Sequence, residues 1–246
     1  MGKKWSLIRA GKRFFGLLAG ISMLGFAVAA GLYWERNTMI GEARFAGQQF
    51  TTLEELHSAS ALPTGTHPDS VDYQSLKEDY RALPWIRDVK ISVDAGGLML
   101  IHVIERDPLA RLVDGGIQGF VDSEGVRLPL VFGAGADLPL LYGFRAEPAG
   151  EVIDSEEFQA VRNFLLSARE GRFGWATISE VAWSQNEGVV ALTQENGVKL
   201  LFGGDDFDDK LKNWKAFYRE VVRERGIDDF SVVDLRFRNQ VVTREM

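Results

Sequence analysis

Between Phe14 and Trp34 the chain runs without a charged side chain. As a helix this stretch would be about 31 Å long, matching a hydrocarbon core of roughly 30 Å. Gly16, Gly20, Gly25 and Gly31 would weaken a soluble helix but are tolerated in a membrane-spanning one. Tyr33 and Trp34 fall at the interfacial end. Lys3, Lys4, Arg9, Lys12 and Arg13 precede the stretch, and Glu35-Arg36 follows it. The positive-inside rule therefore puts the N-terminus in the cytoplasm and the bulk of the chain outside it. The competing reading is a cleaved signal peptide, with Ala27-Val28-Ala29 as a small-x-small cleavage site. The apolar stretch outlasts a typical signal h-region, so a retained anchor is the expectation.

This split explains the composition. The 246 residues carry 28 Lys plus Arg and 35 Asp plus Glu, a net charge of −7. Five of the bases lie in 1–34, which holds no acid, so the rest of the chain stands at −12. That body is too acidic to offer a broad footprint for nucleic acid. The chain has no cysteine, which excludes disulfides, thiolate catalysis and cysteine-ligated metal sites.

Beyond the anchor, 40–108 has a compact rhythm. A short strand over Ile40–Phe45 is broken by Gly47, and Thr52 with Glu55 forms a capping box for a helix reaching Ser58. Pro63, Gly65 and Pro68 punctuate a loop. Tyr73, Leu76, Tyr80 and Leu83 then stripe one helical face up to Pro84. Val89, Ile91 and Val93 alternate as a strand, Ala95-Gly96-Gly97 turns, and Leu98–Glu105 returns. The order is β-α-α-β-β, closed by Asp107-Pro108.

Residues 109–246 mix short strands with two helices. Strands are expected at Ile117–Val121 and Val126–Val131 around an Asp122–Gly125 turn, at Leu138–Gly143, and at Ile178–Trp183, Val189–Thr193 and Val198–Phe202. Phe158, Val161, Leu165 and Ala168 mark one helix. Phe207, Leu211, Trp214, Tyr218 and Val221 mark the other. Val232–Phe237 and Val241–Arg244 close the chain around Asn239-Gln240, with Val233, Leu235 and Phe237 on one face and Asp234, Arg236 and Arg238 on the other. The expected fold class is α+β: one transmembrane helix, a β-α-α-β-β module, and a larger β-rich module with two helices packed on an antiparallel sheet.

Two resemblances follow. Leu83-Pro84-Trp85-Ile86, Val89 and Val103-Ile104-Glu105-Arg106-Asp107-Pro108-Leu109-Ala110 make 40–108 similar to a POTRA domain. Further on come Gly119-Phe120-Val121-Asp122-Ser123-Glu124-Gly125, Leu138-Pro139 with Tyr142-Gly143, Gly197–Gly203 with Lys210-Leu211, and Val233-Asp234-Leu235-Arg236-Phe237-Arg238-Asn239. In that order, behind a basic tail and a single anchor, they resemble the FtsQ/DivIB family of bacterial cell-division proteins. The family usually has Tyr at the place of Phe237 and Gly at the place of Gln240. The domain plan implied is a cytoplasmic tail (1–13), a transmembrane helix (14–34), a POTRA-like domain (40–108) and a β-rich domain (109–246). The implied location is the inner membrane at the division septum.

No constellation of residues asks for catalysis. His57, His67 and His102 lack ligand spacing, and no phosphate loop or nucleophile elbow is present. Asp205, Asp206, Asp208 and Asp209 precede a helix, where carboxylates cap free N–H groups, and their spacing is not that of an EF-hand. No cofactor, metal or small-molecule substrate is expected, and no enzymatic activity. A terminal strand is expected at a sheet edge. The family resemblance makes that edge an acceptor for a strand from an FtsB/FtsL-type pair, involving Arg236, Phe237, Asn239, Gln240, Val241, Val242, Thr243 and Arg244. Two other classes stay open: a POTRA-bearing envelope transport or assembly factor, and a membrane-anchored cell-wall enzyme.

Overall fold

The structure is a computed structural model that describes residues 22–29, 31, 38–131, 133–135, 137–238 and 240–246. The basic tail and most of the expected anchor lie outside these residues. The described part of that stretch, 22–29 with 31, is helical, and Met23, Leu24, Phe26 and Val28 are exposed on it. Among the described residues no helix is long and apolar enough to cross a membrane.

The first sheet has three strands in the order β1-β3-β2: β1 is Glu42–Ala46, β2 is Ile86–Val93 and β3 is Leu98–Glu105. Between β1 and β2 come α1 (Leu53–Ala59) and α2 (Tyr73–Arg81). The start of α1 is the expected capping box, with Thr52 Oγ1 accepting the Glu55 N–H and Glu55 accepting the Thr52 N–H. Asp72 caps α2 with its side chain, which accepts the Gln74 and Ser75 N–H groups. The β2–β3 hairpin pairs Val89 with Val103, Ile91 with Ile101 and Val93 with Met99. These pairs point to one face and bury Val89, Ile101, Val103 and Met99 against Leu56, Leu76 and Tyr80 of the helices.

The second sheet has nine strands, in the order β12-β11-β10-β9-β8-β7-β4-β5-β6. In chain order, β4 is Pro108–Asp114, β5 Ile117–Asp122, β6 Arg127–Pro129 and β7 Leu140–Tyr142. Next are α3 (Glu156–Glu170), α4 (Phe173–Thr177), β8 (Ile178–Ser184), β9 (Gly188–Thr193) and β10 (Lys199–Gly203). Then α5 (Phe207–Phe217) runs into a π-helical turn at Tyr218–Val222, followed by β11 (Phe230–Asp234) and β12 (Val242–Glu245).

This sheet corrects the expectation of an antiparallel one. Three of its pairings, β4 with β7, β7 with β8 and β10 with β11, are parallel. The cause lies in the connections. α3 and α4 join β7 to β8, and α5 joins β10 to β11. A crossover over a helix or, for β4 and β7, over the intervening β5 and β6 returns the chain in the same direction, whereas a tight turn reverses it. Strand β4 was not expected at all, because its buried Pro108, Leu109 and Ala110 interrupt the alternation that signals a strand. The two striped helices are as expected: Phe158, Val161, Phe164, Leu165 and Ala168 of α3 and Leu211 and Trp214 of α5 are buried in one core with Val181, Leu200 and Phe202 of the sheet. Phe164 lies against Phe202 and Phe207, with centroids 4.6 and 5.5 Å apart.

The acidic run at the start of α5 departs from expectation in part: Asp208 and Asp209 lie in the first turn, where their charge favours the helix dipole, but no side-chain cap forms. Asp206 occupies the cap position in the left-handed region (φ 49) and makes no capping hydrogen bond. The carboxylates serve cations instead: Asp205 accepts from Lys210 Nζ at 2.8 Å, and Asp209 from Lys212 at 2.8 Å. Among the described residues no group of His, Asp and Glu is arranged to hold a metal ion.

Candidate functional site

The end of the chain builds one lip of the nine-stranded sheet. Among the described residues strand β12 pairs with β11 alone, antiparallel, with Val233 opposite Thr243 and Asp234 opposite Val242. Its outer edge therefore faces outward, and all four of its residues are exposed. Val242 is 46% exposed, where a valine in a covered strand would be buried. Pairing weakly with one neighbour and burying almost nothing, β12 needs other restraints. The π-helical turn leads into Arg225, whose guanidinium bridges Asp229 at 3.1 Å and Glu245 at 2.7 Å and lies 4.9 Å from the Phe230 ring centroid. Both carboxylates raise the Arg225 pKa further above its ordinary value, Glu245 more than Asp229. Ser231 Oγ donates to the Arg244 carbonyl, and the Met246 N–H to the Asp229 carbonyl.

The segment before β12 differs from the sequence-based picture. The expected strand over Val232–Phe237 stops at Asp234. Leu235 is still buried, and its N–H donates to the Leu201 carbonyl. Arg236 and Phe237 then leave the sheet, and Phe237 is 45% exposed rather than sharing the buried face of Val233 and Leu235. The reason is local. Arg236 folds back on Asp234, with its N–H, Nε and Nη2 donating to the carboxylate at 3.1, 2.9 and 2.6 Å. A side-chain turn of this kind competes with strand pairing for the backbone. Burial would raise the Asp234 pKa, but the side-chain and backbone bonds from Arg236 outweigh it and hold the carboxyl below its ordinary value. Arg236 is in turn raised, chiefly by its bond to Asp234.

Arg236, Phe237 and Arg238 form one wall of a cleft of about 570 Å³ whose other wall is the acidic start of α5, with Asp205, Asp206, Asp209, Lys210 and Lys212. Arg238 Nη2 lies 3.6 Å from Asp206 across it. Of the residues expected at the site, Arg236 and Phe237 line this cleft. Val242, Thr243 and Arg244 form the edge, with Gln240 and the half-buried Val241 leading into it. Asn239 lies outside the described residues. Asp234, which positions Arg236, and Arg225, which clamps the strand, were not anticipated. The i,i+4 spacing of Arg225 and Asp229 was the only available signal for the clamp.

Two of the histidines make local structural contacts. His57 meets Phe45 edge-on at 5.2 Å, and His67 Nδ1 accepts the Asp69 N–H at the start of a 3₁₀ turn.

Comparison with known proteins shows what this chain is similar to in sequence. Residues 107–244 match the family model described as FtsQ/DivIB, C-terminal related. The cell division protein FtsQ of Rhodothermus marinus is 27% identical over 237 residues, covering 93% of this chain and 85% of that protein. FtsQ of Salinibacter ruber is 26% identical over 237 residues, covering 93% and 90%. FtsQ of Escherichia coli is 30% identical over 159 residues, covering 63% and 53%. A chain with a basic head, a β-α-α-β-β unit and this mixed sheet, matched by that model over more than half its length, belongs to the FtsQ/DivIB family of cell-division proteins.

Proposed function

We propose that this protein is a non-enzymatic, bitopic scaffold of the division machinery at the septum. Phe14–Trp34 anchors it in the inner membrane with the basic tail in the cytoplasm. A POTRA-like domain over 40–108 stands next to the membrane and contacts other septal membrane proteins. The β-rich domain over 109–246 recruits an FtsB/FtsL-type pair through its C-terminal edge. The observation that carries this reading is β12, an exposed terminal strand with a single neighbour at the end of a nine-stranded sheet. Such an edge accepts a partner strand by backbone hydrogen bonds, and flanking side chains select it. Arg236, held by Asp234 but with its side chain 35% exposed, supplies a charge-assisted contact to an acidic residue of the partner, and Phe237 supplies apolar area.

The test is proline substitution along the edge. Successive N–H groups of a strand point to opposite sides, so of Val242→Pro and Thr243→Pro one removes an outward donor and the other a bond to β11. The variant that keeps its thermal stability is expected to lose binding of an FtsB-type peptide. Unchanged binding by that folded variant refutes edge docking.

A further inference from the structure

The Asp122–Gly125 turn, conspicuous in the sequence, takes no part in the edge. It lies where the two sheets meet. Only two residues, Arg106 and Asp107, separate β3 from β4. Three consecutive residues at this link each grip a different piece of the molecule.

Glu105 ends the small sheet, and its carboxylate accepts the backbone N–H groups of Gln49, Phe50 and Thr51, at 2.8, 3.0 and 2.7 Å. The Arg106 N–H donates to the Trp85 carbonyl at 2.8 Å. The Arg106 guanidinium reaches into the large sheet and binds Asp122 at 2.7 Å and Glu124 at 2.7 Å. Asp107 pairs with Arg169 of α3 at 2.6 Å. Pro108 then restricts the backbone of Asp107.

The receiving turn is equally constrained. Asp122 is nearly buried and accepts the N–H groups of Glu124 and Val126 as well as Arg106. Arg162 of α3 donates to the Ser123 carbonyl from the other side. Gly125 adopts φ +86, and a β-carbon there would meet the Ile153 carbonyl and the Phe158 ring, each at 3.1 Å. Beneath this latch is an apolar plug. Trp85, brought by the small sheet, sits between Phe50 and Phe120, with centroids 4.8 and 5.9 Å away. Val126, Leu128 and Ala134 complete the buried cluster. Phe120 and Val121 are adjacent on β5 and both fully buried. Val121 faces the helix-covered core and Phe120 faces Trp85, so the small unit covers the opposite side of the large sheet at this end.

We infer that Arg106, through the Asp122–Gly125 turn, is a positioning residue that locks the two sheets into one strut and so holds the C-terminal edge at a set distance and orientation from the small sheet. The physical grounds are a link too short to swivel, a buried aromatic plug and a charge latch whose Arg106 side chain is only 14% exposed. A screened surface pair would leave the units free to rotate; a desolvated one with additional backbone donors does not. The consequence for recruitment rests on the edge-docking reading, whereas the lock itself is measured without any partner.

The absence of native cysteine makes the measurement direct. Spin labels at Glu54→Cys on α1 and Ala216→Cys on α5, both exposed, report the distance between the units in the full chain by double electron–electron resonance. The expected result is one narrow distance distribution. It is expected to broaden at least twofold in Arg106→Ala and in Trp85→Ala, and to recover in Arg106→Lys, with circular dichroism showing intact secondary structure throughout. If Arg106→Ala does not fold, Glu124→Gln reads the same distances, because that carboxylate is 55% exposed and removes only the outer half of the latch. A distribution already broad in the unaltered chain overturns the lock, as does one that stays narrow in the folded Arg106 and Trp85 variants. Either outcome leaves the proline test of the edge untouched.

Discussion

Asp234→Asn separates the side-chain turn from the strand that carries it. In the native chain three donors of Arg236 converge on the Asp234 carboxylate. Asparagine keeps one acceptor oxygen and turns an amide NH₂ toward a guanidinium donor. A charge-assisted hydrogen bond contributes about 1.5–3 kcal/mol when well buried. The Asp234 side chain is 12% exposed but that of Arg236 is 35% exposed, so solvent screening lowers the expected loss to about 1–2 kcal/mol. For a folded unit of this size that corresponds to a Tm lower by about 2–8 °C. The assay is thermal unfolding of the purified full chain by circular dichroism, repeated from pH 7 to pH 3. The Asp234 pKa is depressed in the folded chain. Its contribution is therefore fully present above the ordinary carboxylate value, about 3.9, and is lost as the pH falls through the lower folded value. The gap between native and variant chains should be open at pH 7 and narrow progressively on acidification below about pH 4. Equal stability at pH 7, or a gap of constant size down to pH 3, refutes the role assigned to Asp234. Release of Arg236 should also weaken partner binding in a variant whose β12 is intact.

Other consequences are simpler to state. Phe164→Ala empties the contact with Phe202 and Phe207 in the main core and should cost about 3–5 kcal/mol, read as a lower midpoint in urea; a loss under 1 kcal/mol would contradict the packing described. Gly188→Ala places a β-carbon 2.4 Å from the Gly203 carbonyl carbon at a φ of +72, so the β9–β10 hairpin should loosen, with faster amide exchange at Val190 and Leu201 than in the native chain. After carbonate extraction the full chain should remain with the membrane pellet and a chain beginning at Glu35 should not; release of both would remove the anchor.

Much of this architecture is written in local patterns. The stripe Phe158, Val161, Leu165 and Ala168 foretells α3, because helical periodicity places those side chains on one face whatever they meet there. The hairpin from Val89 to Glu105 is equally legible, since its alternation and its Gly96-Gly97 turn act within one short stretch. Strand direction in the large sheet is not legible. Alternation reads the same in parallel and antiparallel pairs, and only the path of the connections decides between them. At the candidate site, the exposed terminal edge could be anticipated from the position of the last apolar–polar alternation. The early end of β11 could not, because it depends on Arg236 turning back to Asp234 in place of continuing a strand. Lys210 likewise claims Asp205, and no carboxylate of the acidic run caps α5 through its neighbouring N–H groups as composition suggested.

Legible without any tertiary contact are the division into a basic head, an uncharged stretch of membrane-spanning length and an acidic body, together with the family. These depend on the kind and order of residues along the chain, which need no distant partner to be read. Tertiary structure alone decided the mixed sheet, the clamp of Arg225 on Glu245 and the latch of Arg106 on Asp122. Each of these joins groups 16 or more residues apart. Their pairing is set by how separately formed elements pack, and no local periodicity encodes that.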